Sequence, residues 1–319
     1  MKLLALLLLF VIVPDACAGG SVDEGIRLYT LGQFNQAVKA LSQARDASPD
    51  DHTVRFWLGK SHLKTREWDK AVHEMEKAVQ LQPSNAKYHL WLGRACGSKA
   101  SNTIFFKALG WARRVVTEFE TARQIAPDDV DVRFDLLEYY LEAPGIVGGG
   151  RTKAEAEALA ITKLNPRKGY LARSTILSKD KKWDLAQKEL LQATIYFPDD
   201  ADAFKDLADF LLERKDYRSA LEYGEKALAL RKESKRIQFI VAAAETQLRT
   251  DLDGSAKTLL ALAAGPLTDG DPSFEEVYYR LGEYYIVTGD KAKAREAFAS
   301  ALTYNRDYDK AKKQLSSLK

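Results

Sequence analysis

Four histidines, two cysteines and one glycine-rich string are the places where this sequence has residues suited to chemistry. The histidines, His52, His62, His73 and His89, all fall in one stretch of the chain. A zinc site needs three or four ligands in a tight arrangement. No His-x-x-x-His pair, Cys-x-x-Cys pair or glutamate-bearing zinc motif supplies one. His62 and Cys96 are 34 residues apart and hold equivalent places in a repeat set out below, so they are expected as packed core residues. No nucleophile elbow or serine–histidine arrangement is present. Gly145 to Thr152 spells G-x-x-x-x-G-R-T, one conservative change from a phosphate-binding P-loop. A working P-loop also needs a preceding strand and the lysine that here is Arg151. A structural turn is the expectation there, with a partner or anion contact as the other possibility. The sequence therefore points to a non-enzymatic protein with no metal and no cofactor.

The elements that would position these residues are legible in the punctuation. Pro49, Pro83, Pro127, Pro166 and Pro198 follow one another at spacings of 34, 44, 39 and 32. Ahead of each proline stand small or apolar residues at fixed offsets: Ala37-Leu41-Ala44, Ala71-Met75-Ala78, Val115-Phe119-Ala122 and Ala186-Leu190-Ala193. Offsets of four and three make one helical stripe, and a proline just past the helix end cannot continue it. Asp50-Asp51, Ser84-Asn85, Asp128-Asp129 and Asp199-Asp200 then place capping side chains before the next apolar stretch. That stretch often carries Leu-Gly, as at Leu58-Gly59, Leu92-Gly93 and Leu281-Gly282, where a missing side chain lets two helices approach.

With these marks the chain resembles tetratricopeptide-repeat (TPR) proteins of an exported bacterial type, from about Ser21 onward. Tyr278, Leu281-Gly282, Tyr285, Gly289, Ala294, Phe298 and Ala301 occupy the family's consensus positions. The resemblance implies an all-α, right-handed superhelical solenoid of helical hairpins. Eight units start near residues 18, 52, 86, 130, 167, 201, 235 and 275, the seventh degenerate. A polar helix from Asp309 to Lys319 would cap the last apolar face.

Two intra-unit turns are expanded, at about 97–112 and 142–152. Because units stack in register, these inserts are expected side by side on one edge. Ile104, Phe105, Phe106 and Trp111 in the first are expected to be buried against the second. In the second, Gly145, Gly148, Gly149 and Gly150 can expose backbone N–H groups, Arg151 follows, and Thr152 is placed to cap a helix.

The resemblance also implies a concave groove, lined by the first helix of each unit, that holds an extended peptide or a partner helix. Carried onto this sequence, its lining is Trp57, Lys60 and Lys64, then Lys87, Trp91 and Arg94, then Asp131, Asp135 and Glu138, and finally Asp202, Asp206 and Asp209. Such a groove would be basic and aromatic at first and acidic later, and would orient a partner of complementary charge. Some TPR domains clamp a C-terminal carboxylate, but Val22 and Ile26 stand where that clamp is polar.

Residues 1–18 differ in kind. Met1-Lys2 is followed by an apolar run from Leu3 to Val13 and by Ala16-Cys17-Ala18. That run is too short to span a bilayer, so a cleaved signal peptide and a periplasmic or secreted mature chain, 19–319, are expected. Pro14 and Asp15 fit a lipoprotein signal poorly. After cleavage Cys96 is the sole cysteine and no internal disulfide is expected. Net charge of +3 gives no sign of a nucleic-acid surface. The resulting expectation is an envelope scaffold for another exported protein or peptide, acting through the groove and the insert edge. The alternative is a small-molecule or glycan adaptor at that edge, and self-association through the seventh unit is a further possibility.

Overall fold

The computed structural model describes residues 21–318, and the signal-peptide reading of residues 1–18, Cys17 included, lies outside the described residues. Seventeen α-helices and one 3-10 turn make up these residues, arranged as eight hairpins and a terminal helix. The hairpins are α1 (Val22–Thr30) with α2 (Phe34–Ala47), α3 (His52–Lys64) with α4 (Trp68–Leu81), α5 (Ala86–Ser101) with α6 (Phe105–Ile125) and α7 (Val130–Glu142) with α8 (Arg151–Leu164). They continue as α9 (Pro166–Lys179) with α10 (Trp183–Tyr196), α11 (Ala201–Glu213) with α12 (Tyr217–Leu230), α13 (Lys235–Leu248) with α14 (Leu252–Ala264) and α15 (Phe274–Thr288) with α16 (Lys291–Tyr304). The terminal helix is α17 (Asp309–Ser317).

The stripe read from the prolines is the core. Ala37, Leu41, Ala71, Met75, Ala78, Ala122 and Ala186 are fully or almost fully buried, and Val115, Phe119, Leu190 and Ala193 nearly so. Asp51, Asn85, Asp129 and Asp200 each accept a hydrogen bond from a backbone N–H two residues on, capping α3, α5, α7 and α11. At Gly93 a Cβ would sit 2.4 Å from the Phe119 ring, so α5 and α6 could not close on each other with alanine there. The seventh hairpin, weak in consensus, is complete. Its α13 is apolar almost all round, with Ile237, Phe239, Ile240 and Ala242–Ala244 buried, as expected of a helix enclosed between neighbours.

A recurrent polar staple fixes the register of successive hairpins. The side chain six residues after a repeat-closing proline turns back to that proline's carbonyl: Arg55 to Pro49 at 2.9 Å, His89 to Pro83 at 3.0 Å and Arg133 to Pro127 at 2.8 Å. Each also reaches a glutamate on its own hairpin's second helix, Glu74, Glu118 or Glu157. Glu74 and Glu157 take a second arginine, Arg45 or Arg123, from the preceding hairpin. One carboxylate thus joins three helices of two units.

The two ends of the array meet. Phe34, opening α2, packs edge-on to Phe274 and Tyr304 at ring distances of 6.3 and 5.9 Å. Leu267 donates its N–H to the Thr30 carbonyl at 2.7 Å, and Arg66 pairs with Asp307 at 2.6 Å. Gly32, at φ 72°, leaves room for the Phe274 and Tyr304 rings. Helix α17 then covers the last hairpin, burying Ala311 and packing Tyr308 and Leu315 near Tyr279 and Phe298.

Candidate interaction sites

Two surfaces compete as the working site: the lining of the first helices of each hairpin, and the edge carrying the two long turns. On the lining, residues at offsets of three and four on α3 and α5 do converge. The Lys60 ammonium lies 4.4 Å from the Trp57 ring and 4.2 Å from Trp91, with Tyr29 at 5.0 Å and Phe56 at 5.8 Å. Lys60 itself is only 1% exposed. Its carboxylate partner is Asp269, at 2.8 and 2.7 Å, from the segment between α14 and α15. Burial lowers the Lys60 pKa from the ordinary lysine value to about 8, with the Asp269 carboxylate opposing that fall.

A groove basic at one end and acidic at the other is not what forms. The expected charges are paired, most of them across neighbouring helices. Arg94 binds Asp135 at 2.8 Å and Lys168 binds Asp131 at 2.8 Å. Asp202 is shared by Lys205 and Arg231 at 3.3 and 3.0 Å, Asp206 is held by Arg167 at 2.6 Å, and Asp209 by Arg236 at 2.7 Å. The reason is geometric: stacked hairpins bring unlike charges on adjacent first helices within reach, so runs of one sign in sequence alternate in space. Burial raises the Asp135 pKa although the Arg94 guanidinium pulls it down. Glu138 is open to water yet walled by surrounding helices; that partial desolvation, with the Asp135 carboxylate beside it, raises its pKa. Lys64 and Lys87 are exposed cations, 5.8 Å from the Phe34 ring and 5.5 Å from the Phe56 ring.

The insert edge also differs from expectation. The long turns do lie together: the Tyr139 hydroxyl is 2.7 Å from the Ala112 carbonyl on α6 and 2.6 Å from the Val147 carbonyl in the 3-10 turn Gly145–Val147. Val147 is buried and Trp111 is partly so. The remaining apolar residues of the first insert are not. Ile104 is 66% exposed, Phe105 70% and Phe106 82%, with the two rings edge-to-face at 5.7 Å. Lengthening α6 to 21 residues carries its start past the shorter second insert, so nothing there covers these rings.

The glycine string is a packed turn. The N–H groups of Val147 and Gly149 donate to the Pro144 carbonyl, that of Gly148 to Gly145, and that of Gly150 to Tyr140. These amides are spent on the backbone and do not face a ligand, which removes the basis for an anion nest. A Cβ at Gly149 would fall 1.8 Å from the Ala143 carbonyl oxygen, which explains that glycine. Arg151 pairs with Glu155 and, at 2.6 Å, with Asp180 of the next hairpin. Thr152 does not cap α8: the helix begins at Arg151, with Gly150 as its cap residue and no side-chain cap bond.

His62 and Cys96 are both core residues. His62 bonds Glu67 at 2.7 Å, and burial raises the Cys96 thiol to about 12, far from a reactive thiolate. Among the described residues no group of three or more His, Cys, Asp or Glu side chains gathers as a metal site. Among them, too, no helix is long and apolar enough to cross a membrane. The staples of Arg55, His89 and Arg133, and the role of Asp269, escape a reading by residue type. The one available signal for the staples was a polar side chain six places after the proline.

Comparison with known proteins agrees with this architecture. Tetratricopeptide-repeat family models match residues 22–74, 58–96 and 171–234, and a second such model matches 275–308; together they cover more than half of the chain. Residues of this chain are 28% identical over 99 residues to the E3 ubiquitin-protein ligase CHIP of Arabidopsis thaliana, covering 30% of this chain and 35% of that protein. The yeast Tom70 crystal structure superposes with a TM-score of 0.54 at 14% identity, over 90% of this chain and 58% of that one. A tetratricopeptide repeat protein from Parabacteroides merdae is also similar, with a TM-score of 0.45 at 12% identity, over 93% of this chain and 96% of that one. The chain thus spans about a third of the ligase and somewhat more than half of Tom70. Eight stacked hairpins, their shared stripe of small residues and the family-model matches over more than half of the chain lead to one conclusion: the chain belongs to the tetratricopeptide-repeat family, whose arrays are generally non-catalytic protein-interaction scaffolds.

Proposed function

We propose that this chain is a non-enzymatic scaffold of the cell envelope that holds another exported protein, and that the tip formed by Phe105 and Phe106 is its principal docking point. The observation that carries this reading is the exposure of Phe105 and Phe106, 70% and 82%, at the start of α6. Large apolar side chains grouped in the open are costly in water and mark interaction sites in soluble proteins. Aromatic anchors also supply much of the energy at protein interfaces. Ile104 extends the patch, and Lys107 and Arg113, both exposed, would favour a partner with an acidic rim.

The groove lining, from Trp57 to Asp209, contributes a second, mostly charge-paired surface in this reading. Gly145, Gly148, Gly149, Gly150 and Arg151 act by holding the edge rather than by touching the partner. Export rests on residues 1–18, and a mature N-terminus at Gly19 in mass spectrometry is the expected outcome.

The test is affinity capture after mild crosslinking, comparing the natural chain with a Phe105→Asp/Phe106→Asp variant. Recovery of the same protein by the first and its loss from the second supports the reading. Equal recovery by both removes the tip from it.

A further inference from the structure

Lys60 is a fully desolvated ammonium inside a shell of four aromatic rings. Rings stabilise a cation through their faces but accept none of its hydrogen bonds in the ordinary sense. The oxygen acceptors come from Asp269, whose two carboxylate oxygens lie 2.8 and 2.7 Å away. Burying such a charge without a counter-ion is strongly unfavourable. The site therefore requires a carboxylate, but nothing in it requires that carboxylate to be Asp269.

Asp269 is poorly anchored for so important a partner. Its side chain is 52% exposed, and it belongs to residues 265–273, which form no helix and bridge α14 to α15. That segment is tethered by the Leu267 N–H to Thr30, by the buried Leu267 and Pro272 side chains, and by the Lys235 ammonium on the Pro266 carbonyl at 2.5 Å and on the Asp271 carboxylate at 3.5 Å; Asp269 itself bonds only Lys60. Asp271 folds back to accept from Thr268 at 2.9 Å, so only Asp269 points to the cage. Lys64 and Lys87 add positive charge beside Lys60, which favours an acidic visitor.

We propose that residues 265–273 are a built-in occupant of the groove, and that an acidic side chain on an extended partner peptide displaces Asp269 and takes over Lys60. The incoming segment would copy the resident one, with an aliphatic side chain in the place of Leu267 and a carboxylate two residues later. Displacement exchanges one carboxylate for another, leaves Lys60 paired throughout and frees the seam beside Phe34. This inference rests on the scaffold reading, but its test needs no cellular partner.

The experiment uses a dye-labelled, end-blocked peptide with the sequence of residues 264–273, titrated by fluorescence anisotropy into the full chain. Asp269→Asn leaves the resident segment unable to neutralise Lys60, so the peptide is expected to bind that variant about tenfold or more tighter than the natural chain, the change that 1.4 kcal/mol produces. A second peptide carrying the Asp269→Asn change should lose that gain, and so should the Asp269→Asn/Lys60→Met chain. Equal binding to the natural chain and to Asp269→Asn, or no binding to either, overturns the proposal. So does a gain that persists with the second peptide, an arm that does not depend on Lys60→Met folding. Capture at the phenylalanine tip is a separate measurement, so failure here and failure of the scaffold reading are distinguishable.

Discussion

Replacing Glu157 by alanine should loosen one specific joint of the array. Its carboxylate, 4% exposed, lies between Arg123 of the third hairpin and Arg133 of the fourth, at 2.5 and 2.8 Å. A hydrogen bond to a charged group contributes about 1.5–3 kcal/mol, and stripping one partner from a buried pair costs about 3–5 kcal/mol. The arginines are 33% and 16% exposed and can regain water, which puts the expected loss at the low end. A loss of about 2–3 kcal/mol follows for Glu157→Ala, and roughly half that for Glu157→Gln, which keeps the volume and one acceptor. Glu155→Ala is the control. Its carboxylate is 54% exposed and pairs with Arg151 one turn away, so under about 0.5 kcal/mol is at stake. Because repeat arrays open locally, the assay is hydrogen exchange read by mass spectrometry. Amides of α6, α7 and α8 should exchange on the order of a hundredfold faster in Glu157→Ala, with α12 to α17 unchanged. Protection equal to that of Glu155→Ala, or a uniform loss along the chain, would refute the staple as the joint between these units.

Other predictions concern the seam, the tip and the turn. Lys60 should titrate near pH 8 when followed by NMR of its methylated amine, and lower still in Asp269→Asn, since that carboxylate holds the value up. Its folded pKa lies below the unfolded one, so at this site the folded chain binds fewer protons, and the contribution of Lys60 to stability rises with pH from about 8 to about 10.5. Lys60→Met should remove that contribution, read as the difference between the denaturant melts of the two chains across this pH range. Gly32→Ala should cost about 1–2 kcal/mol, because φ is positive there and a Cβ would press on Phe274 and Tyr304; an unchanged melting temperature would count against a closed seam. The Phe105→Asp/Phe106→Asp change should move unfolding by no more than about 0.5 kcal/mol, since both rings are exposed. Nucleotide titration should leave the melting temperature unmoved, as the amides of the glycine string are already bonded.

The array itself was legible because its determinants are local and periodic. Proline past a helix end, aspartate or asparagine at the next start, and alanine where helices cross all act within a few residues. The tip was misread because apolar character says that a ring prefers burial, not whether a neighbour reaches far enough to cover Phe106. The groove was misread for a related reason. Sequence shows the sign of Asp135 and Asp206 but not their partners, which arrive from the next first helix over, at Arg94 and Arg167. Asp269 is the extreme case: 209 residues separate it from Lys60, and only closure of the whole superhelix brings them together. The staples lay between these limits. Their spacing from the proline is constant, but Arg55, His89 and Arg133 differ in type and their glutamates follow at distances that vary with the inserts.

The most direct test of the scaffold reading is a photo-crosslinking amino acid placed at Phe106 in the intact cell envelope, with a matched probe at exposed Leu260 on α14. The account predicts one discrete adduct to a second exported protein from position 106 and none of that species from position 260. Adducts to lipid alone, or the same protein adduct from both positions, would contradict a docking point at the insert tip.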